Sequence, residues 1–109
     1  MKAISDDRLE SALAYLASTD KEVADLKANV ARSDYLAKVR ESFAFKAADG
    51  NNEERKHEAR TADDVQAAWE KHFVAIADHE KLRAKRETEI LVIETWRSLN
   101  ANRRQGAIL

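Results

Sequence analysis

Residues that interrupt helices are almost absent from this chain of 109 residues, which has no proline and only two glycines, Gly50 and Gly106. Proline and glycine fit least well inside an α-helix, so little in the sequence forces a helix to end. Ala, Leu, Glu, Lys and Arg are abundant and 36% of the residues are charged, which is typical of long amphipathic helices. The sequence therefore predicts an all-α protein folded as a single domain over residues 1–109.

Composition also limits the compartments in which the protein is expected and the kinds of site that it can contain. The chain has no cysteine, so neither a disulfide framework nor a thiolate metal site can form. The longest apolar run, Ile90–Ile93, is far shorter than the roughly 20 residues that cross a bilayer. The first residues lack the apolar region of a signal peptide. We expect a soluble cytoplasmic protein that makes no membrane contact.

The first half of the chain predicts two helical segments. Ser5, followed by two aspartates, is a good helix start. Thr19 and Glu22 form a second capping-box pattern, at which the helix either breaks, bends or continues, and we place helices at about residues 5–18 and 20–48. Apolar residues recur at helical spacing through both segments: Leu9, Leu13, Leu16, Val23, Leu26, Val30, Leu36, Val39 and Phe43.

The concentrated turn signal in the interior is Asp49–Asn52, where Gly50 or an asparagine can adopt the left-handed conformation that ends a helix. A second arm starts either at Glu53 or, with a capping pattern, at Thr61. This arm is predicted to reach about residue 102, which leaves a tail at residues 103–109. Its strongest apolar face consists of Val65, Trp69, Phe73 and Ile76, and we expect Trp69 and Phe73 to pack in the core.

The two arms have nearly equal lengths, which favours a long antiparallel helical hairpin with coiled-coil-like packing. Folding at Gly50 places residue i opposite about residue 101 minus i. The polar stretch Ser18–Glu22 then lies opposite His79–Arg83, with Asp20 or Glu22 facing Lys81 or Arg83. The alternative is a bend at Ser18–Asp20 that makes a compact three-helix bundle. Apolar residues left uncovered indicate a homodimer or a protein partner.

No pattern of catalytic or metal-binding residues stands out. Glu54 and His57 form one Glu-x-x-His pair, the half-motif that di-iron helical bundles use twice, but the chain holds no second copy. His72 and His79 are two turns apart, about 10 Å along a helix, too far to share a metal. Polar positions in the seam between helices explain them better. Because glycine loops and nucleophile motifs are also absent, we expect a non-enzymatic protein without cofactor or metal.

The C-terminal third is basic, with seven Lys or Arg and four Asp or Glu among residues 80–109. Four clustered cations are candidates for contact with nucleic-acid phosphates, although acidic neighbours dilute their field: Lys81, Arg83, Lys85 and Arg86. The end of the chain combines a tryptophan, arginines and an apolar terminus, which favours docking on a protein partner. The candidate partner-binding residues are Trp96, Arg97, Asn100, Arg103, Arg104, Ile108 and Leu109.

The segment Trp96–Gly106, with the sequence WRSLNANRRQG, resembles the end of a group of small helical proteins encoded by bacteriophages and prophages. Those proteins also begin with a short helix similar to Asp7–Glu10. The resemblance spans most of the chain and is specific only at this end. No activity is assigned to the group, so no functional residue is carried over. The resemblance implies a bacterial host cytoplasm and an accessory role in phage biology.

Short phage proteins without catalytic residues usually act by binding another molecule. The resemblance and the lack of catalytic motifs together predict a non-enzymatic accessory protein that acts through protein–protein interaction. Inhibition of a host defence or nuclease complex is one concrete form of that role. The alternative is a nucleic-acid-associated accessory factor in phage recombination or replication, which would use the cations between residues 81 and 104.

Overall fold

A computed structural model describes residues 3–108, and within that range it contains helices and no strand. The helices are α1 (Asp6–Ala47), α2 (Asn52–Thr61) and α3 (Asp63–Ile108). The chain divides into two compact units: unit 1 holds residues up to Val23 and from Lys81 onward, and unit 2 holds Ala24–Glu80. In each unit α1 runs antiparallel to α3, so the predicted all-α helical hairpin is confirmed.

Helix α1 is continuous through the second capping-box pattern. The hydroxyls of Ser18 and Thr19 donate to the carbonyl of Tyr15, one turn back, over 3.0 and 2.8 Å, so neither hydroxyl caps a new helix. Thr19 is also buried, at 7% exposure. The predicted division into helices at 5–18 and 20–48 is therefore wrong, and so is the three-helix bundle that required a bend there.

The predicted turn is present between α1 and α2. Gly50 has a φ of +110°, a backbone conformation that residues other than glycine rarely adopt. Asn51 caps α2, because its side-chain oxygen accepts a hydrogen bond from the backbone N–H of Glu54 at 2.9 Å. Glu53 and Glu54 lie in the first turn of α2, where the helix dipole favours carboxylates.

A single extended residue, Ala62, separates α2 from α3, with φ −63° and ψ 134°. The hydroxyl of Thr61 donates back to the carbonyl of His57 at 2.9 Å, so it does not cap α3 as predicted. The carbonyl of Ala62 accepts the first backbone bond of α3, from Gln66 at 3.0 Å. The second arm is consequently two helices rather than one.

Helix α3 runs on to Ile108, so the predicted end near residue 102 and the tail at 103–109 are wrong. The reason is that Gly106 stays in the helical conformation, whereas Gly50 has a positive φ. Leu109 lies outside the described residues, and the side chain of Ile108 is not among those described.

The seam of unit 2 is made of small and polar residues at spacings of three and four. On α1, Ser33 and Ala37 are at most 9% exposed. On α3, Val65, His72 and Ala75 are at most 8% exposed, and Ala68 between them is half-buried. This is the heptad spacing of a coiled coil, so the predicted coiled-coil-like packing and the seam position of His72 are confirmed.

The seam of unit 1 follows the same spacing and is equally polar. Ala12, Thr19 and Leu82 are buried, at no more than 8% exposure. Further seam positions are half-buried, and they include two charged residues and a tryptophan: Leu9, Leu16, Arg86, Glu89, Ile93 and Trp96.

Part of each predicted apolar face lies outside the seam in unit 2, although Val65 of the α3 face is fully buried. Phe73 is 56% exposed and Ile76 38%, while Leu36 is 52% and Phe43 65% exposed. Alanines in the seam allow the two helices to approach closely, and large side chains would hold the helices apart. The large residues therefore lie on the flanks of the seam, and the core reading of Phe73 was wrong.

The pairing of α1 with α3 is displaced from the predicted one by about one helical turn. Ser33 contacts His72 and Asp20 contacts Arg86, so residue i lies opposite about residue 105 minus i. Helix α2 keeps the predicted pairing, since Arg55 donates to the carbonyl of Phe45 at 3.1 Å. The two pairings meet across the break at Ala62, which separates α2 from α3.

Candidate interaction surfaces

A buried polar layer fixes the pairing of the helices in unit 2. The hydroxyl of Ser33 donates to the carbonyl of Val30 at 3.0 Å, and its oxygen lies 2.9 Å from Nδ1 of His72. The Ser33 hydroxyl and Nδ1 of His72 therefore share a hydrogen bond, and the tautomer of His72 sets which of the two donates. The ring of Trp69 meets the imidazole edge-on at 5.7 Å. His72 is thus a satisfied structural residue rather than a free ligand.

Asp34 joins this layer from its exposed side. One carboxylate oxygen accepts from the ammonium of Lys38 at 2.9 Å, and the other lies 3.9 Å from Nε2 of His72. The Lys38 hydrogen bond lowers the pKa of Asp34 from its ordinary value, with a smaller lowering by the charge of Lys38. The carboxylate therefore stays ionised beside His72 at neutral pH.

Arg86 performs the corresponding role in unit 1. Its guanidinium donates to the carbonyl of Leu16 at 2.8 Å, to the hydroxyl oxygen of Thr19 at 2.6 Å and to the carboxylate of Asp20 at 2.7 Å. The Arg86 side chain is only 16% exposed. The predicted charge pairing at Asp20 is present, but its partner is Arg86 rather than Lys81 or Arg83, as the displaced pairing requires.

The four cations predicted to contact nucleic acid fall into two groups in the structure, two bound within the chain and two exposed. Arg86 binds groups on α1, and Arg83 pairs along its own helix with Glu87 at 2.5 Å. Lys81 and Lys85 are exposed. Because an arginine that already holds a carbonyl, a hydroxyl and a carboxylate has little left to offer a phosphate, the cluster is a weaker phosphate site than its sequence indicates.

The predicted partner-binding residues of the C-terminal end fall into two groups. Trp96 and Asn100 are half-buried and line a hollow of about 40 Å³ together with Ala3, Ile4 and Asp6. Arg97 and Arg104 are exposed, as is Arg103, which lines the same hollow. The structure brings Trp96 and Asn100 against the start of the chain, so the arginines are the accessible members of the set.

Large apolar side chains lie on the outside of both units. In unit 2 they are between 38% and 67% exposed: Tyr35, Leu36, Phe43, Phe73, Val74 and Ile76. In unit 1 they are between 40% and 61% exposed: Leu13, Ile90 and Leu91. Trp69 is half-buried and stacks on Phe73 with ring centres 6.3 Å apart. Scattered single residues of this kind are normal, but several on one face mark an interaction surface.

Three hollows join into one groove along the α1–α3 side of unit 2. Their volumes are about 380, 310 and 440 Å³. Leu36 lines the first two, and Asp64 lines the second and third. Val74 and Phe43 lie at its two ends, and an ion pair between Arg40 and Asp64, 3.7 Å apart, lies on its rim. We call this the unit 2 groove.

Sequence reasoning missed this groove because it placed Leu36 and Phe43 on one continuous apolar stripe with the other large residues of the first arm. The signal that would have found it is the repeat of small residues such as Ala12, Thr19, Ser33 and Ala37. Their spacings are multiples of seven or combinations of three and four, as a seam requires. Leu36 and Phe43, also seven residues apart, form a second, parallel stripe.

The remaining candidates offer little chemistry. Glu54 and His57 are both exposed on α2. Across residues 3–108 no group of three or more His, Cys, Asp or Glu side chains is placed to hold a metal ion. No helix in that range is both long enough and apolar enough to span a membrane.

Comparison with known proteins adds no relative to these observations. No family model, no curated protein and no solved structure matches the chain.

Proposed function

We propose that this chain is a non-enzymatic interaction protein, of the accessory kind that phages encode, and that it acts by binding another protein. The observation that carries the proposal is that small and polar side chains are buried between the helices while large apolar side chains are exposed. Seam positions hold Ala, Ser, Thr and His, while Phe73, Leu36 and Leu91 are more than half exposed. Burying such side chains yields about 25 cal/mol per Å², so a partner that covers them gains free energy.

Two surfaces of α3 are available for that partner. The first is the aromatic surface of unit 2, formed by Trp69, Phe73 and Ile76, where stacked rings supply area at a low entropic cost. The second is the basic end of unit 1, with Arg97 and Arg104 exposed. Aromatic residues and arginines are the side chains most enriched at the energetic centres of protein interfaces.

A host defence or nuclease complex is the form of partner that we favour, because blocking such a complex needs a binding surface and no catalytic residue. Arginines suit recognition of carboxylates, since their fork geometry allows two parallel hydrogen bonds. The alternative, direct nucleic-acid binding, has less support, because Arg86 and Arg83 are already engaged within the chain.

Affinity capture from bacterial lysate, with tagged full-length protein, tests the proposal. The variants are Phe73→Glu on the aromatic surface and Arg97→Glu combined with Arg104→Glu at the basic end. Tyr35→Glu on α1 is the matched control, because Tyr35 is 67% exposed and belongs to neither surface. We expect one protein to be captured by the wild type and by Tyr35→Glu, and to be lost from at least one of the other variants.

The captured protein is then purified and its affinity measured directly. If Phe73→Glu and the arginine variant both bind as tightly as the wild type, the two surfaces are not used. A second arm titrates a DNA duplex and an RNA hairpin in rising salt. Tight binding that falls steeply with salt, and weakens further in Lys81→Ala with Lys85→Ala, would replace the protein-binding proposal with the nucleic-acid one.

A further inference from the structure

We infer that the unit 2 groove is the interface for a second copy of this chain, and that two hairpins pack there as a four-helix bundle. The inference goes beyond the proposed function, because it concerns a different face of unit 2 and holds whether or not another protein is bound. It rests on the shape, the charge and the extent of the groove.

The groove is self-complementary in shape when the two-fold axis runs parallel to the helices. That axis places α1 of one copy beside α3 of the other, antiparallel, as in an up-down-up-down bundle. Residues that lie at the same level, meaning the same height along the helix axes, within one chain then lie at the same level across the interface. The large α1 residues of the groove, Leu36 and Phe43, share hollows with two small residues, Ala67 on α3 and Ala62 just before it. Each large side chain therefore meets an alanine of the second copy.

The charges of the groove are complementary under the same symmetry. Arg40 and Asp64 form an ion pair within one chain, and both side chains are more than half exposed. The two-fold axis brings Arg40 of each copy to the level of Asp64 of the other, so four charges alternate in sign. On α3 the rim residues Asp64, Lys71 and Asp78 also alternate at intervals of seven. A nearly neutral rim of mixed sign fits another copy better than it fits a strongly charged partner.

The extent of the groove is close to that of a stable interface. Nineteen residues line its three hollows, against about 20 to 30 residues on each side of a standard protein–protein interface. The formal net charge of the chain is −1, so two copies repel each other very little. The groove is lined by residues of both α1 and α3, which fits a partner that presents two helices.

Sedimentation equilibrium of the full-length protein tests the inference. The chain has a mass of 12.3 kDa, and we expect twice that mass in the micromolar range. Leu36→Glu should weaken the dimer at least about 100-fold, because it places a carboxylate in the centre of the interface. Tyr35→Glu, next in sequence and more exposed but outside the groove, should leave the dimer intact. Circular dichroism checks that both variants keep their helices.

A charge exchange keeps the inference falsifiable if Leu36→Glu fails to fold. Arg40→Asp and Asp64→Arg each place like charges at the same levels, so each variant alone should dimerise more weakly than the wild type. Mixed together they restore both opposite-sign pairs between the chains, and the mixed dimer should form at least about 10-fold more tightly than either variant alone.

Three results would overturn the inference. The first is a wild-type protein that stays at 12.3 kDa at high micromolar concentration. A monomer whose groove binds a helix of another protein counts as the same result. The second is a dimer that Leu36→Glu leaves unchanged. The third is a mixture of the two charge variants that associates no better than its components.

Discussion

Arg86 shows how one charged residue in a seam can fix the pairing of two helices. Its guanidinium binds acceptors on three residues within about one turn of α1: Leu16, Thr19 and Asp20. A shift of α3 by one turn would separate the guanidinium from all of them. Apolar seam residues would tolerate such a shift, because packing alone distinguishes neighbouring pairings weakly.

We expect Arg86→Ala to lower the free energy of unfolding by about 1–3 kcal/mol, because it removes hydrogen bonds that a charged donor makes in a half-buried position. Arg83→Ala is the matched control three residues away on α3. The Arg83 and Glu87 side chains are 48% and 59% exposed, and a pair of this kind contributes about 0.3–0.5 kcal/mol. Urea unfolding at one protein concentration measures both. Equal losses in the two variants would contradict the role assigned to Arg86.

Individual seam residues were only partly predictable from the sequence. The seam positions of His72 and His79 follow from their spacing, and His72 is indeed buried. The position of Phe73 does not follow, because hydrophobicity alone assigns the largest apolar residues to the core. The distance between the helices determines whether a large side chain such as Phe73 fits in the seam, and that distance depends on the alanines of both arms together. That distance is a property of the pair and cannot be read from one arm.

At the scale of elements, the sequence predicted the turn at Gly50 without an alternative, whereas a helix start near the break at Ala62 was only one of two options, at Thr61. Glycine and asparagine carry a local conformational preference that marks a turn. Alanine is the best helix former, so nothing in its own chemistry marks Ala62 as an end. Similarly, the capping pattern at Thr19 has the right residues, but burial of Thr19 in the seam keeps α1 continuous.

The two glycines give opposite predictions. At Gly50, φ is +110° and an added Cβ would lie 2.5 Å from Oε2 of Glu54. We therefore expect Gly50→Ala to cost about 1–2 kcal/mol of stability. At Gly106 nothing lies within 4 Å of an added Cβ and the backbone is helical, so Gly106→Ala should be neutral or stabilise by up to about 1 kcal/mol.

Chemical denaturation of the two alanine variants beside the wild type measures this difference. A Gly50→Ala protein as stable as the wild type would mean that the turn can adopt another conformation. Loss of stability in Gly106→Ala would mean that the last turns of α3 are not helical in solution.

At the scale of the whole molecule, the buried core of the described residues is small. Its fully buried apolar members are mostly alanines, with Val65 the largest side chain below 2% exposure. Deep burial of large side chains is the main source of stability in most domains. A chain with such a core gains unusually much from covering its outer apolar residues, which the second copy at the unit 2 groove would do.

Thermal unfolding at several protein concentrations tests that link between stability and association. For two copies that unfold together, a tenfold rise in concentration adds about 1.4 kcal/mol per dimer, which corresponds to a rise in Tm of about 2–4 °C for a unit of this size. We expect this rise for the wild type and for Tyr35→Glu, and a lower Tm that does not change with concentration for Leu36→Glu. A wild-type Tm that is constant across concentrations would mean that each chain is stable alone, since association that stabilises the folded state must appear in this measurement.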